Sequence, residues 1–129
     1  MSNAYIAGVG FYVPPKIVTN DELSQYMNTT DKWIRERTGI QTRHYVEKGV
    51  GPSDLAIPAT EQALNSASLS VRDIDFIIFA TSTPDYYIPG SGCLLQEKMG
   101  FREIGALDIR VQCSGFLYGL SIAEQYIKT

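Results

Sequence analysis

The 129 residues predict an α/β fold built on a mainly parallel sheet with helices packed on it. Three features carry that expectation. Phe76-Ile-Ile-Phe-Ala-Thr81 is a continuous apolar run behind Asp73 and Asp75, the pattern of a central strand covered on both faces. Ile104 to Val111 is a second apolar strand, and Phe116, Leu120, Ala123 and Ile127 follow it at helical spacing on one face. Between these, strand-like and helix-like stretches alternate along the whole chain.

Taken in order, Ser2-Asn3-Ala4 resembles a cloning remnant behind Met1. Tyr5 to Val13 reads as a buried first strand stopped by Pro14-Pro15, its two glycines marking close approach of another backbone. Thr19-Asn-Asp-Glu22 has capping-box spacing and predicts a short helix through Met27. Thr29 or Thr30 caps a second helix, Asp31 to Thr38, with Gly39 suited to its C-terminal turn. Ile40 to Val46 mixes polar and apolar residues, as an exposed strand or loop does. Gly49-Val-Gly-Pro52 breaks the chain, and Ser53 caps a helix to about Ala67 with Ala56, Ala59, Ala63 and Ala67 on one small-residue face. Pro58 lacks a backbone donor, so a kink or a late helix start is expected there. Thr81 to Pro89 is a polar, proline-containing loop, and Gly90 to Gly100 is the next helix.

Bulk properties narrow the function classes. With 44% hydrophobic and 19% charged residues, the composition is that of an ordinary soluble protein of one domain or less. A net charge of −3 without a basic run argues against nucleic acid as a partner. No apolar run is long enough for a membrane span and no secretory signal is visible, so a cytoplasmic protein is expected. Two cysteines, Cys93 and Cys113, make no disulfide framework, and no metal-ligand spacing appears.

Cys113 is the first candidate for chemistry. At a strand-to-helix junction the partial positive charge of the helix N-terminus favours a thiolate, and Ser114 and Gly115 leave room for a substrate. A nucleophilic cysteine for acyl transfer and a small buried hydrophobe both fit this segment. Trp33 and Arg37, four apart, share a helix face, where an indole can stack a purine and a guanidinium can hold a phosphate. A core tryptophan beside a solvated arginine is the commoner origin of such a pair taken in isolation. His44, the one histidine, has no neighbour in sequence to orient it and is set aside as a base. Cys93, in a helical pattern without a charge partner, reads as structural.

Four stretches are decisive together: Thr30-Asp-Lys-Trp33-Ile-Arg-Glu-Arg37-Thr-Gly-Ile40, Ser53-Asp-Leu-Ala, Asp75 to Asp85, and Asp108-Ile-Arg-Val-Gln-Cys113-Ser-Gly-Phe. In this order they resemble the β-ketoacyl-acyl carrier protein synthase III family of thiolase-like condensing enzymes, from about Tyr5 to the C-terminus. The resemblance implies the N-terminal half of a thiolase-like fold over residues 1–129, with Cys113 as the acyl-accepting nucleophile. It implies Trp33, Arg37 and, on less specific chemistry, Thr29 at the nucleotide end of coenzyme A. Ile88, before the matched proline, is implied to lie on a dimer-interface loop and to shape the partner's acyl pocket. Acyl-coenzyme A and malonyl-acyl carrier protein are the implied substrates, with no tightly bound cofactor, no metal and a homodimer. The family's catalytic His and Asn belong to a later half, so the 129 residues are expected to be a fragment that does not complete the reaction. A thiolase-like acyltransferase of secondary metabolism and a non-catalytic relative remain as alternatives. Arg110 and Gln112 are bulkier than the small residues often found there in the family, which bears on acyl-chain preference.

Overall fold

The computed structural model describes residues 3–129; Met1 and Ser2, where the stretch resembling a cloning remnant begins, lie outside the described residues. The chain divides into two compact units, Val13–Val50 and the remainder, formed by the N-terminal stretch to Tyr12 together with Gly51–Thr129.

In the Val13–Val50 unit, strand β1 (Lys16–Thr19) pairs antiparallel with β2 (Thr42–Tyr45), with Lys16 opposite Tyr45. Between them lie α1 (Asn20–Leu23) and α2 (Asp31–Thr38). The Thr19–Glu22 capping box forms: the Glu22 carboxylate accepts from the Thr19 N–H at 2.8 Å, and the Thr19 hydroxyl accepts from the Glu22 N–H at 3.2 Å. Propagation stops early, however, and turns replace the expected helix beyond Leu23. Helix α2 has the expected bounds, because its ends are chemically marked. The Thr30 hydroxyl accepts from the Trp33 N–H at 3.2 Å, and Gly39 takes the left-handed φ of 73° that closes the last turn. Val18 and Ile34 are the buried apolar residues here.

In the larger unit, helix α3 (Pro52–Ala67) leads through a 3-10 turn (Val71–Asp73) to β3 (Phe76–Ala80), α4 (Ser91–Met99), β4 (Gly105–Ile109) and α5 (Gly115–Lys128). Strands β3 and β4 run parallel, with Phe76 opposite Gly105 and Ala80 opposite Ile109. Successive side chains of a strand point to opposite faces, and both faces of β3 are used. On one face, Gly115 and Gly119 bring α5 against Ala80 and Ile78, and the Tyr126 ring lies 4.7 Å from that of Phe76. On the other, Gly92 brings α4 against Phe79 and Ala106. Ile77 and Leu95 are buried between the layers.

Two expectations are corrected. Tyr5 to Val13 forms no strand: it has no ladder partner among the described residues, and Tyr5, Ile6, Val9 and Phe11 are exposed. It lies instead along the alanine face of α3, where Gly8 meets Ala63 and Ala67 and Gly10 meets Ala59 and Ala63. Phe116, Leu120 and Ile127 share a helix face as expected, and that face is exposed, the sheet-facing side of α5 being that of Gly115 and Gly119. Helix α3 is capped at Gly51 rather than Ser53, and it runs from Pro52 to Ala67 with Pro58 inside it, so the start is not delayed by the proline.

A Cβ at Gly10 would overlap the Ala59 carbonyl oxygen and the Ala63 nitrogen, both backbone atoms that cannot swing aside. Gly10→Ala should therefore destabilise this unit by about 1–3 kcal/mol, read as a lower urea midpoint. Ser66→Ala, on the exposed side of α3, should leave the midpoint unchanged.

Candidate active site and its positioning network

Cys113 sits where the fold expectation put it, just past the C-terminal end of a parallel strand. The Gly115 N–H donates to the Gln112 carbonyl at 3.0 Å, closing a tight turn over Cys113 and Ser114 from which α5 departs. Gly115 is buried, and a Cβ there would stand 3.2 Å from that of Ala80, so the start of α5 is pressed onto the end of β3. This holds the turn and leaves the Cys113 side chain exposed. Cys93, in the first turn of α4, is half-buried.

The loop between β3 and α4 leaves the same edge of the sheet. The Thr81 N–H donates to the Ile109 carbonyl at 3.1 Å, so the loop and the Cys113 turn begin side by side. A buried polar network anchors the loop base. Asp85 accepts from the Ser53 N–H at 3.1 Å and the Ser53 hydroxyl at 2.8 Å, in the first turn of α3, and the Asp85 N–H donates to the Ser91 hydroxyl at 3.1 Å. Asp108, on the α4 side of β4, accepts from the Ser91 N–H at 2.8 Å and the Gly92 N–H at 3.2 Å. Two carboxylates thus satisfy helix N-termini that carry no side-chain cap of their own. Ser53 and Ser91 are each 0% exposed. Lys98 closes the cluster, donating to the Ser53 hydroxyl at 2.7 Å and pairing with Asp54 at 2.5 Å.

Burial pushes the Asp85 carboxyl up, but hydrogen bonds from Ser91 and Ser53 outweigh it and hold the group below the usual carboxylate range. A group lowered in the folded state stabilises fully above its unfolded value, near 4, and loses that contribution as pH falls through the lower folded one. Asp31, Asp54, Asp73 and Glu22 are lowered too, so they add to the same acid limb. The urea midpoint should therefore fall from pH 5 towards pH 3, and Asp85→Asn should flatten part of that slope. An unchanged slope in the variant would remove Asp85 from this role.

Ile88 is at the loop tip, 89% exposed, and precedes Pro89 through a cis peptide bond. The tip also carries Tyr87, whose ring lies 4.3 Å from the guanidinium carbon of Arg110. A groove of about 560 Å³ lined by Ile57, Leu64, Lys98 and Met99 includes neither Cys113 nor Ile88, and the exposed cysteine with its loop is the stronger candidate for chemistry.

In the Val13–Val50 unit Trp33 and Arg37 share a face of α2, and Thr29 precedes the Thr30 cap of that helix. The indole of Trp33 is 55% exposed, and the Arg37 guanidinium carbon lies 6.0 Å from the ring centroid, at the outer limit of a cation–π contact. Thr29 Oγ1 is buried with no hydrogen-bond partner among the described residues. Trp33 and Arg37 thus offer an open stacking face and a cation on α2. That helix is held by Asn20, which is 1% exposed. Asn20 Nδ2 donates to Asp31 at 2.8 Å and to the Ile40 carbonyl at 2.9 Å, while its Oδ1 accepts from Arg43 at 2.5 Å. Arg35 Nε also donates to both Asp31 carboxylate oxygens at 2.8 Å; Arg35 first, and Asn20 next, hold that carboxyl low. His44 makes its contact with the Pro14 carbonyl and stays outside any catalytic grouping.

Sequence reasoning missed Asn20, Asp85 and Asp108 as positioning residues. Asp108 carried a signal, an acid inside the apolar Gly105–Ile109 strand; Asn20 and Asp85 looked like ordinary cap and loop residues.

No family model matches the chain. Curated relatives match over nearly all of it. A β-ketoacyl-[acyl-carrier-protein] synthase III of Methylococcus capsulatus is 48% identical over 95% of this chain and 38% of its own length. The protein of the same name from Clostridium perfringens is 43% identical over 100% of this chain and 40% of its own. The solved 3-oxoacyl-[acyl-carrier-protein] synthase III of Aquifex aeolicus superposes with a TM-score of 0.89, at 39% identity, over 95% of this chain and 40% of that one. The chain matches the N-terminal portion of the β-ketoacyl-acyl carrier protein synthase III family. It spans about 40% of the length of the curated relatives it matches. The synthase III likeness carries the fold class with it: an α/β arrangement from the N-terminal half of a thiolase-like fold. The priming β-ketosynthase of the R1128 polyketide pathway shares that fold at a TM-score of 0.87 and 30% identity, over 93% of this chain and 36% of that one. Among the described residues no helix is long and apolar enough to cross a membrane.

Proposed function

We propose that residues 1–129 are the N-terminal part of a synthase III that primes fatty acid synthesis, with Cys113 as its acyl acceptor. The observation that supports this reading is the exposed cysteine at the strand-to-helix turn of a chain nearly half identical to proteins of that name. The Cys113 thiolate attacks the thioester carbonyl of acyl-coenzyme A, a new carbon–sulfur bond forms, and coenzyme A leaves with its electron pair and takes up a proton. The Cys113 backbone N–H, at the helix entrance, is the candidate donor to the tetrahedral oxyanion. Malonyl-acyl carrier protein then loses carbon dioxide, and its carbanion displaces Cys113 from the thioester to give a β-ketoacyl carrier protein. No residue of this chain is assigned to the decarboxylation.

Trp33 stacks the adenine of coenzyme A and Arg37 pairs with its phosphates, while Thr29, whose hydroxyl is buried, belongs to this end of the site through its place before the Thr30 cap rather than by direct contact. Ile88 contributes to an acyl pocket across a homodimer interface. Coenzyme A is here a substrate; no tightly bound cofactor is assigned, and the enzyme acts in the cytoplasm. Intact mass spectrometry of the full-length protein after incubation with acetyl- to octanoyl-coenzyme A tests the reading. A single acyl adduct supports it, and none with any donor sinks it.

The likeness to a polyketide priming synthase favours one second reading, the same cysteine chemistry serving secondary metabolism. The two part at the acceptor, so the carrier protein that discharges the acyl adduct decides between them.

A further inference from the structure

We propose that Arg43 and Asn20 form a clamp that fixes helix α2 as a platform for the nucleotide end of coenzyme A, an inference that rests on the coenzyme A reading above. Helix α2 has little else to hold it. Its eight residues are too few for a helix to be stable alone, and Ile34 is its buried residue, while Trp33 is 55% exposed. Asn20 grips both ends at once. Its Nδ2 donates to Asp31, the first residue of the helix, and to the carbonyl of Ile40, two residues past the last. Trp33 and Arg37 lie between these two points.

Arg43 decides which way the Asn20 amide faces. From β2 its guanidinium donates to Asn20 Oδ1 at 2.5 Å and to the Val18 carbonyl of β1 at 3.2 Å, so it is itself anchored on the strand pair. A flipped amide would turn its NH2 group onto the guanidinium donor and its oxygen onto the Asp31 carboxylate and the Ile40 carbonyl, setting donors against donors and acceptors against acceptors. With the amide so fixed, the run from guanidinium to amide to carboxylate is charge-assisted at both ends. Arg35 also closes on Asp31, four residues along the same helix. A platform held in this way presents Trp33 and Arg37 already in place, so a nucleotide binds without the cost of ordering the helix. Arg43 and Asn20 are positioning residues; neither is assigned a contact with coenzyme A.

The test compares two thioester donors in the full-length protein: acetyl-coenzyme A, and acetyl-pantetheine, which carries the same reacting group without the nucleotide. Arg43→Met removes the guanidinium and keeps the apolar stem, Arg43→Lys keeps a cation for one of the two acceptors, and Trp33→Ala is the reference for a lost nucleotide contact. In Arg43→Met, amides 31–39 should exchange roughly five- to thirtyfold faster. Its KM for acetyl-coenzyme A should rise roughly two- to tenfold. The saturating acylation rate and the rate with acetyl-pantetheine should stay at the parent's values. Arg43→Lys should fall between parent and Arg43→Met, and it carries the same comparisons if Arg43→Met does not fold. Unchanged exchange in both variants would overturn the clamp. Faster exchange with an unchanged KM, or an equal loss with both donors, would overturn its role in nucleotide binding. A Trp33→Ala variant with the parent's KM for acetyl-coenzyme A would sink the coenzyme A reading of α2 and that role together, while exchange would still judge the clamp itself.

Discussion

Cys113→Ser is expected to abolish acyl loading of the full-length protein, by on the order of 10⁴-fold or more in rate, while Cys93→Ser keeps it. A thiol gives an appreciable thiolate fraction near neutral pH, whereas a serine hydroxyl needs a general base to become nucleophilic. The two cysteines also differ in access. Cys113 is exposed on a turn at the sheet's C-terminal edge, and Cys93 is half-buried in the first turn of α4. Because the Cys113 side chain is exposed, the serine variant should melt with the parent, which separates lost chemistry from lost fold. Peptide mapping of the loaded protein locates the adduct. An adduct that survives Cys113→Ser, or maps to Cys93, would remove Cys113 as the acceptor.

The second large effect is expected at a residue with no chemistry of its own. Asn20→Leu keeps the volume but deletes two donors and an acceptor from a site that is 1% exposed. The Ile40 carbonyl, Asp31 and Arg43 would each lose a partner, and a buried polar group left unpaired costs about 1–3 kcal/mol. A loss of roughly 2–4 kcal/mol is expected in the Val13–Val50 unit, allowing for some solvent access to the part-buried partners. Helix α2 hangs on that network through Asp31, so its amides should exchange faster and coenzyme A binding should weaken even though Trp33 and Arg37 are intact. The surface pair Lys32–Glu36, 3.9 Å apart and well exposed, offers the contrast: Lys32→Ala should change stability by less than about 0.5 kcal/mol. If Asn20→Leu were as mild as Lys32→Ala, the hub would be no hub.

Helix α2 was fully legible because its boundaries are written in local chemistry. Thr30 can cap, Gly39 can take a positive φ, and neither needs a distant partner. The parallel β3–β4 pair was legible for a related reason, since a continuous apolar run implies cover on both faces wherever the cover comes from. The Tyr5–Val13 stretch was misread on the same logic. Apolar residues and glycines report that something packs closely, but not whether the neighbour is a strand or a helix, and here it is α3. Pairing of β1 with β2 was equally out of reach, because it joins residues more than 20 apart through backbone atoms that every sequence possesses.

The candidate site divides along the same line. By itself the sequence offered Cys113 at a strand-to-helix junction and Trp33 and Arg37 on one helix face, which rest on residue type at short spacing; Thr29 joined them only through the family resemblance. It also carried the likeness to the N-terminal portion of the synthase III family. Tertiary structure alone decided what holds the surrounding elements: Asn20 under α2, and Asp85 and Asp108 at two helix N-termini. These partners lie 11 to 32 positions apart, and a carboxylate or amide becomes a positioning group only when folding buries it against orphaned backbone donors.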